Sequence, residues 1–339
     1  MEKVRFGKTE LMVSRVAFGG IPIMRVPKDG AVKLVKEIIE LGINFIDTAH
    51  GYADSEEKIG AALKELKRDE LVIATKSPAN DKKTFNEHLD LSLKRLGTDY
   101  IDIMQLHNIG SIEKRDACFA PGGACEGLQE AVKAGKVRFP GVSSHSLELC
   151  IELMKSGKFA SVQFPFNFID DAAAKEAIPL AKKLDVGFIA MKPMGGGRLD
   201  DAGLAFRYLL QFENIIPDPG IEKIEEIREI VWLVESKPSF TEEDKKTIEK
   251  MRAGFGATWC HRCDYCQPCP QGIDISWVLS TESCEKRFTL ERFKLMLGQP
   301  IERAKTCLEC GQCVTRCPYD LDIPALIKEN IAFYNRIVS

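Results

Sequence analysis

The sequence predicts an α/β fold: a (β/α)8 barrel of the TIM type, followed by a smaller, mainly α-helical domain. Three observations predict it. Short apolar runs alternate with amphipathic stretches over the first 240 or so of 339 residues. Eight run-and-stretch pairs can be counted, and eight pairs in about 240 residues suit a barrel whose ordinary size is about 250. Nine of the twelve cysteines then fall within residues 257–339.

The apolar runs, in order, are Val13 to Phe18, Asn44 to Ala49, Leu71 to Thr75, Tyr100 to Leu106, Arg138 to Val142, Ser161 to Phe166, Val186 to Met191 and Asn214 to Pro217. Continuous apolar runs of this length suit strands buried on both faces. Between them, Ala31 to Leu41 carries an i, i+3, i+4, i+7 stripe and stops at Gly42. Ser55, followed by Glu56 and Glu57, reads as the cap of a helix over Ile59 to Leu66. Thr84 to Leu96, Leu128 to Val132 and Leu147 to Met154 each run up to a glycine, the usual helix stop. Ala172 to Leu184, Asp200 to Phe212 and Glu222 to Val234 complete the set. A doubly wound sheet uses the same alternation, but no Gly-x-Gly-x-x-Gly follows the first run. The barrel spans 1–237. A linker with its own polar helix, Glu242 to Arg252, occupies 238–256, and the cysteine-rich domain 257–339.

Forty-seven basic and fifty acidic residues leave a net charge of −3. There is no basic stripe, so no nucleic-acid partner is expected. No run approaches the roughly 18 apolar residues of a membrane span, and the start lacks a signal-peptide core. Dense cysteine without a secretion signal points to metal rather than disulfides and to the reducing cytoplasm.

In a barrel, chemistry sits where strands end and the following loops begin. Those positions hold Asp47, with Tyr52 in its loop, then Lys76 and His107. Singly, each has a plain structural use as a cap, a surface aromatic, a solvated lysine or a core histidine. Together they make a proton-transfer set. A lysine beside a carboxylate stays charged, and a cation near a phenol favours phenolate. A tyrosine so tuned donates a proton to a carbonyl oxygen, which the histidine orients or polarises.

The stretches Gly42-Ile43-Asn44-Phe45-Ile46-Asp47-Thr48-Ala49 with Tyr52 and Ser55-Glu56, Ile73-Ala74-Thr75-Lys76, Asp99 to His107 and Gly141-Val142-Ser143-Ser144 resemble the aldo-keto reductase family over about residues 1–237. The resemblance implies that Asp47, Tyr52, Lys76 and His107 are a catalytic tetrad acting on a small-molecule carbonyl substrate. It implies that Ser143, Ser144 and Gln163 hold a nicotinamide carboxamide, with Met191 where the family often places a tyrosine under the ring. The adenosine-phosphate segment falls on Pro217-Asp218, Lys223 and Glu226. An aspartate facing a 2′-phosphate repels it, so NAD(H) is expected to bind at least as well as NADP(H).

The cysteines form Cys260-x2-Cys263-x2-Cys266-x2-Cys269-Pro270 and Cys307-x2-Cys310-x2-Cys313-x3-Cys317-Pro318. The second is the bacterial ferredoxin run, in which the fourth cysteine serves the other cluster. That crossing predicts two [4Fe–4S] clusters, one on Cys260, Cys263, Cys266 and Cys317, the other on Cys307, Cys310, Cys313 and Cys269. Zinc sites use pairs separated by a longer loop and fit this spacing poorly. Trp277 to Leu297 has helical spacing, which suits a helical two-cluster ferredoxin-like domain; Cys284, Cys118, Cys125 and Cys150 read as core thiols. The whole layout, with Thr75-Lys76-Ser77-Pro78 and Met191-Lys192-Pro193-Met194-Gly195-Gly196-Gly197, is similar to an iron–sulfur branch of that family.

Nicotinamide moves two electrons and a cubane one, so exchange between them needs a flavin or another splitter. The sequence therefore leaves several readings open. One is a carbonyl reductase whose clusters serve another purpose. A second is a cluster-linked electron-transfer enzyme using a flavin or a redox partner protein. A third is a Schiff-base aldolase on Lys76 or Lys192. The last is an adaptor whose barrel docks a partner.

Overall fold

The structure, a computed structural model, describes residues 1–256 and 258–339. Ala257, where the cysteine-rich domain is expected to begin, lies outside the described residues. The chain divides into two compact units, Met1–Gly195 with Leu199–Ser239, and Gly196–Arg198 with Phe240–Ser339.

The first unit opens with a hairpin, β1 (Lys3–Arg5) against antiparallel β2 (Met12–Ser14). The barrel follows as β3 (Phe18–Gly19), α1 (Lys28–Glu40), β4 (Phe45–Asp47), α2 (Ser55–Leu63), β5 (Val72–Ser77), α3 (Lys82–Leu96), β6 (Ile101–Leu106), α4 (Ile112–Phe119) and α5 (Ala124–Lys133). It continues as β7 (Val137–Ser143), α6 (Leu147–Lys155), β8 (Ser161–Pro165), α7 (Ala177–Lys183), β9 (Gly187–Met191), α8 (Ala202–Leu209), β10 (Ile215–Asp218) and α9 (Ile224–Ser236). β3 to β10 form one sheet in sequential order, every pair parallel. Its ends meet: Ala17 N donates to Pro217 O at 2.9 Å and Gly19 N to Pro219 O at 2.8 Å. The predicted TIM barrel is thus the fold of this unit.

Three local expectations change. The run Val13 to Phe18 is not one strand. Its first residues belong to the hairpin, and the chain breaks at Arg15, a buried guanidinium that donates to Phe212 O at 2.6 Å and to Ile215 O. Ser55 is not the cap of its helix. Asp54 stands at that position, and Ser55 Oγ donates instead to Gly20 O at 2.8 Å. The predicted helix Ala172 to Leu184 is a short 3-10 turn, Ala172–Ala174, followed by α7.

The hairpin closes the base of the barrel. Phe6, Leu11 and Val13 are buried with Phe45, Ile103, Ile189 and Ile216 in one apolar cluster. Helix approach is tight on one flank, because a Cβ at Gly60 would stand 2.1 Å from Arg95 O. β6 is stapled sideways by Asp102, fully buried, which accepts from Arg68 Nη2 and Arg138 Nη1 at 2.7 Å and from Ile73 N at 3.0 Å.

The elements described in the second unit are helices: α10 (Glu242–Phe255), α11 (Ile275–Val278), α12 (Thr281–Glu285), α13 (Leu290–Ala304), α14 (Gln312–Arg316) and α15 (Ile323–Val338). α10, which the sequence reading sets in a linker, clusters with this unit. α13 buries Phe293, Leu297 and Ile301 against Ile323, Leu326 and Ile327 of α15, and the Phe293 and Tyr334 rings stack at 5.3 Å. Among the described residues no helix is long and apolar enough to cross a membrane.

Candidate functional site

The inward side chains at the strand ends converge on Asp47, the last residue of β4. Its Oδ2 accepts from Lys76 Nζ of β5 at 2.5 Å and from Gln163 Nε2 of β8 at 3.3 Å; its Oδ1 accepts from Gln105 Nε2 of β6 at 3.4 Å. Lys76 also donates to Thr48 O at 2.7 Å. Both members of the ion pair are buried. Burial alone lowers the Lys76 pKa, but the charge of Asp47, then Tyr52 and Asp218, outweighs it and holds the ammonium above its ordinary value.

Tyr52 lies in the loop after β4, half-buried, with Lys76 Nζ 5.1 Å from its ring centroid. His107 follows β6, and the two rings meet edge to face at 5.9 Å. Burial, then the charges of Lys76 and Lys114, push the His107 imidazole down to about 3. It is therefore neutral near pH 7, able to offer one N–H and one lone pair. Lys114 fixes this loop by donating to His107 O at 2.8 Å.

The residues expected at the nicotinamide are more dispersed. Ser143 ends β7, where its Oγ accepts from Asn108 N at 2.8 Å; Ser144 Oγ donates to Ile109 O at 2.7 Å. Both hydroxyls tie β7 to the loop after His107. Gln163 is buried, and among the described residues its Oε1 has no hydrogen-bond partner. That orphaned acceptor fits the amide N–H of a nicotinamide carboxamide. Met191 ends β9, half-buried.

Asp218 is not where the sequence reading sets it. Rather than facing a ribose phosphate, it is a buried inward residue at the end of β10, and its Oδ2 accepts from Gln163 Nε2 at 2.9 Å. Burial, then the charge of Asp47, raises its pKa well above the usual carboxylate range. The argument for NAD over NADP from its charge falls with that placement. Lys223 is exposed ahead of α9, and Glu226 Oε2 accepts from the N–H groups of Glu222 and Lys223 at 2.8 and 3.0 Å, closing the helix start.

Gln105 is missed by the sequence reading, although an uncharged polar residue inside the apolar run Tyr100 to Leu106 is itself a signal. Lys192, the other lysine considered for a Schiff base, lies just beyond β9 with φ +58°. Its Nζ is 3.0 Å from His145 Nε2, and His145 Nδ1 is 2.9 Å from Asn108 Oδ1.

In the second unit, Cys260, Cys263, Cys266 and Cys317 line one cavity together with Tyr319 and Ile323. Burial pushes the Cys260 thiol up to about 11 and Cys266 to about 12. Thiols so held stay protonated near pH 7 until a metal binds the sulfur and displaces the proton to solvent. Cys307 follows α13 and Cys313 lies in α14, where the thiols of Cys307 and Cys310 act on it electrostatically. Cys269 is not in the first cavity. Arg316 of α14 donates to the carbonyl of its neighbour Pro268 at 2.9 Å, tying the two cysteine runs together. Among the described residues no three His, Cys, Asp or Glu side chains gather closely enough for a single metal ion. Cys284, Cys118, Cys125 and Cys150 are buried.

Comparison with known proteins adds the following. The Aldo/keto reductase family profile matches residues 15–203, and the profile of a 4Fe-4S dicluster domain matches 259–322. L-galactose dehydrogenase of Arabidopsis thaliana is 31% identical over 218 residues, covering 58% of this chain and 66% of that protein. The NADH-specific methylglyoxal reductase of Escherichia coli is 28% identical over 229 residues, covering 59% of this chain and 69% of that protein. The chain spans about two thirds of the length of these curated relatives. An aldo-keto reductase of Bacillus halodurans, in its holo form, is similar with a TM-score of 0.64 at 26% identity over 74% of this chain and 96% of that one.

Proposed function

The chain belongs to the aldo/keto reductase family and carries a C-terminal 4Fe-4S dicluster domain, and on that premise we propose that it reduces a small carbonyl compound, or oxidises the corresponding alcohol, with a nicotinamide cofactor. One observation carries the reading: a buried lysine held charged by Asp47, with the Tyr52 ring 5.1 Å away and a neutral His107 against that ring.

Tyr52 gives its Oη proton to the substrate oxygen. Lys76 favours the phenolate left behind, and Asp47 keeps Lys76 charged while the proton moves. His107 brings no positive charge of its own and orients the carbonyl through a ring nitrogen. Gln163 offers Oε1 to the carboxamide. The nicotinamide, when bound, supplies or takes up the hydride, so that hydride on carbon and proton on oxygen complete the alcohol. Lys76, as an ammonium in an ion pair, has no lone pair for a Schiff base, which argues against the aldolase reading at that residue. A name that includes NADH-specific, on a relative 28% identical, supports a nicotinamide.

We assign two [4Fe–4S] clusters to the eight motif cysteines with the crossed ligation given above; the shared cavity of Cys260, Cys263, Cys266 and Cys317 supports it. A second reading, electron transfer to a redox partner protein, is favoured by Cys310, which is exposed beside Leu308 at 67% exposure. A cluster edge open to solvent is where one-electron exchange occurs.

The test is oxidation of NADH and NADPH by a panel of small aldehydes and ketones, using anaerobically purified protein, a separate portion of which is analysed for flavin. Carbonyl-dependent oxidation without bleaching of the clusters supports the reductase. Bleaching of the clusters by the nicotinamide with a flavin present supports the electron-transfer reading.

A further inference from the structure

An amide side chain is nearly symmetric in shape, so which end faces a ligand is decided by what binds the other end. Gln163 Nε2 donates to Asp218 Oδ2 at 2.9 Å and, at longer range, to Asp47 Oδ2 at 3.3 Å. Asp47 is committed to Lys76. Asp218 accepts from Gln163 through Oδ2 and is hydrogen-bonded to Asp47 as well. Turning the Gln163 amide over would set its carbonyl oxygen against two carboxyl groups whose shared proton is already engaged between them, leaving that oxygen without a donor. In the observed orientation Oε1 is the buried acceptor left open, and an unmet buried acceptor costs about 1–3 kcal/mol, a demand that a ligand N–H satisfies.

We infer that Asp218 is a positioning residue which fixes Gln163 with its carbonyl toward the cofactor, so that the site selects the carboxamide N–H of nicotinamide. The assignment rests on the reductase reading. It gives a purpose to a carboxyl that lies in the barrel beside Asp47, a placement that costs stability unless the group is held neutral or hydrogen-bonded. Burial and the charge of Asp47 favour its neutral form; that proton is engaged in the hydrogen bond between the two carboxyls, and the other oxygen still accepts from Gln163.

The experiment is binding, read by equilibrium titration of the anaerobic full-length protein. The probes are the reduced dinucleotide and its 3-acetylpyridine analogue, whose methyl ketone lacks the amide donor. Wild type should bind the carboxamide form roughly three- to tenfold more tightly, the range of one neutral hydrogen bond. Asp218→Asn keeps an acceptor for Gln163 and should keep that ratio. Asp218→Leu should bring it below about twofold, as should Gln163→Leu. Should Asp218→Leu not fold, Asp218→Ala, which adds no bulk, carries the same test. A purely structural role would weaken both ligands alike. The wild-type ratio retained in the Leu or Ala variant would overturn the inference, as would the same loss in Asp218→Asn. A wild type that binds neither dinucleotide would overturn the reductase reading itself, and this inference with it.

Discussion

Lys76 Nζ lies 2.5 Å from Asp47 Oδ2, with both side chains at most 3% exposed. One cation serves two buried carboxyls, since Asp218 lies in the same network. Removing it leaves Asp47 as an uncompensated buried charge. Lys76→Met should therefore lower stability by about 3–5 kcal/mol and abolish turnover. Adding Asp47→Asn should recover much of the stability and none of the turnover. Thermal unfolding of the two variants checks this, and equal losses in both would refute it.

Tyr52→Phe removes the proton donor and leaves the ring contact with His107. Turnover should fall by about 10²–10⁴-fold, the usual contribution of general acid catalysis. Dissociation constants for the dinucleotide should stay within about twofold. Steady-state rates on any active carbonyl, beside a binding titration, decide it.

Two half-buried histidines make the barrel acid-sensitive. His107 titrates at about 3 and His50 at about 4 in the folded chain, against 6.5 ordinarily. Their folded pKa values are lowered, so the unfolded chain takes up protons first as pH falls. The stability they contribute is present above about 6.5 and is lost progressively below it. Hydrogen exchange of barrel amides should show protection falling between pH 6.5 and 5. His107→Gln should make that fall shallower; an unchanged slope would mean the imidazole is not held neutral.

Much of the site was legible because strand ends are legible: Asp47, Lys76 and His107 each close an apolar run, and the run marks the place. Direction was less legible. Asp218 follows Pro217 at the end of a short run, and nothing in the string says whether its carboxyl faces a loop or the barrel. Val13 to Phe18 is apolar throughout, so the break at Arg15 and the pairing of Met12–Ser14 with Lys3–Arg5 are tertiary facts. Helix α4 escaped because it buries Cys118 alone and has almost no apolar stripe. Ser55 has the chemistry of a cap, but packing gives its hydroxyl to Gly20, and Asp54, at the cap position, pairs with Lys58 rather than with a backbone N–H.

Crossed ligation is checked by removing single thiols. Wild type should carry about eight irons, and Cys317→Ser about four. The cluster lost should be that of the first run, so that Cys263→Ser added to Cys317→Ser removes no more iron. Cys313→Ser added to Cys317→Ser should instead remove nearly all. Iron analysis and electron paramagnetic resonance of the anaerobic variants give the answer, and the reverse pattern would mean each run binds its own cluster.

The amino-terminal hairpin also bears on the direction from which the site is reached. With Phe6, Leu11 and Val13 seated among Phe45, Ile103, Ile189 and Ile216, the described residues pack the end of the barrel opposite the strand ends that carry Asp47 and Lys76. On the proposed reductase reading, a dinucleotide and a carbonyl compound would both have to approach Asp47 and Lys76 from the strand-end side, so ordered addition is the kinetic pattern expected, and a hairpin of the chain's first fourteen residues would bear on it.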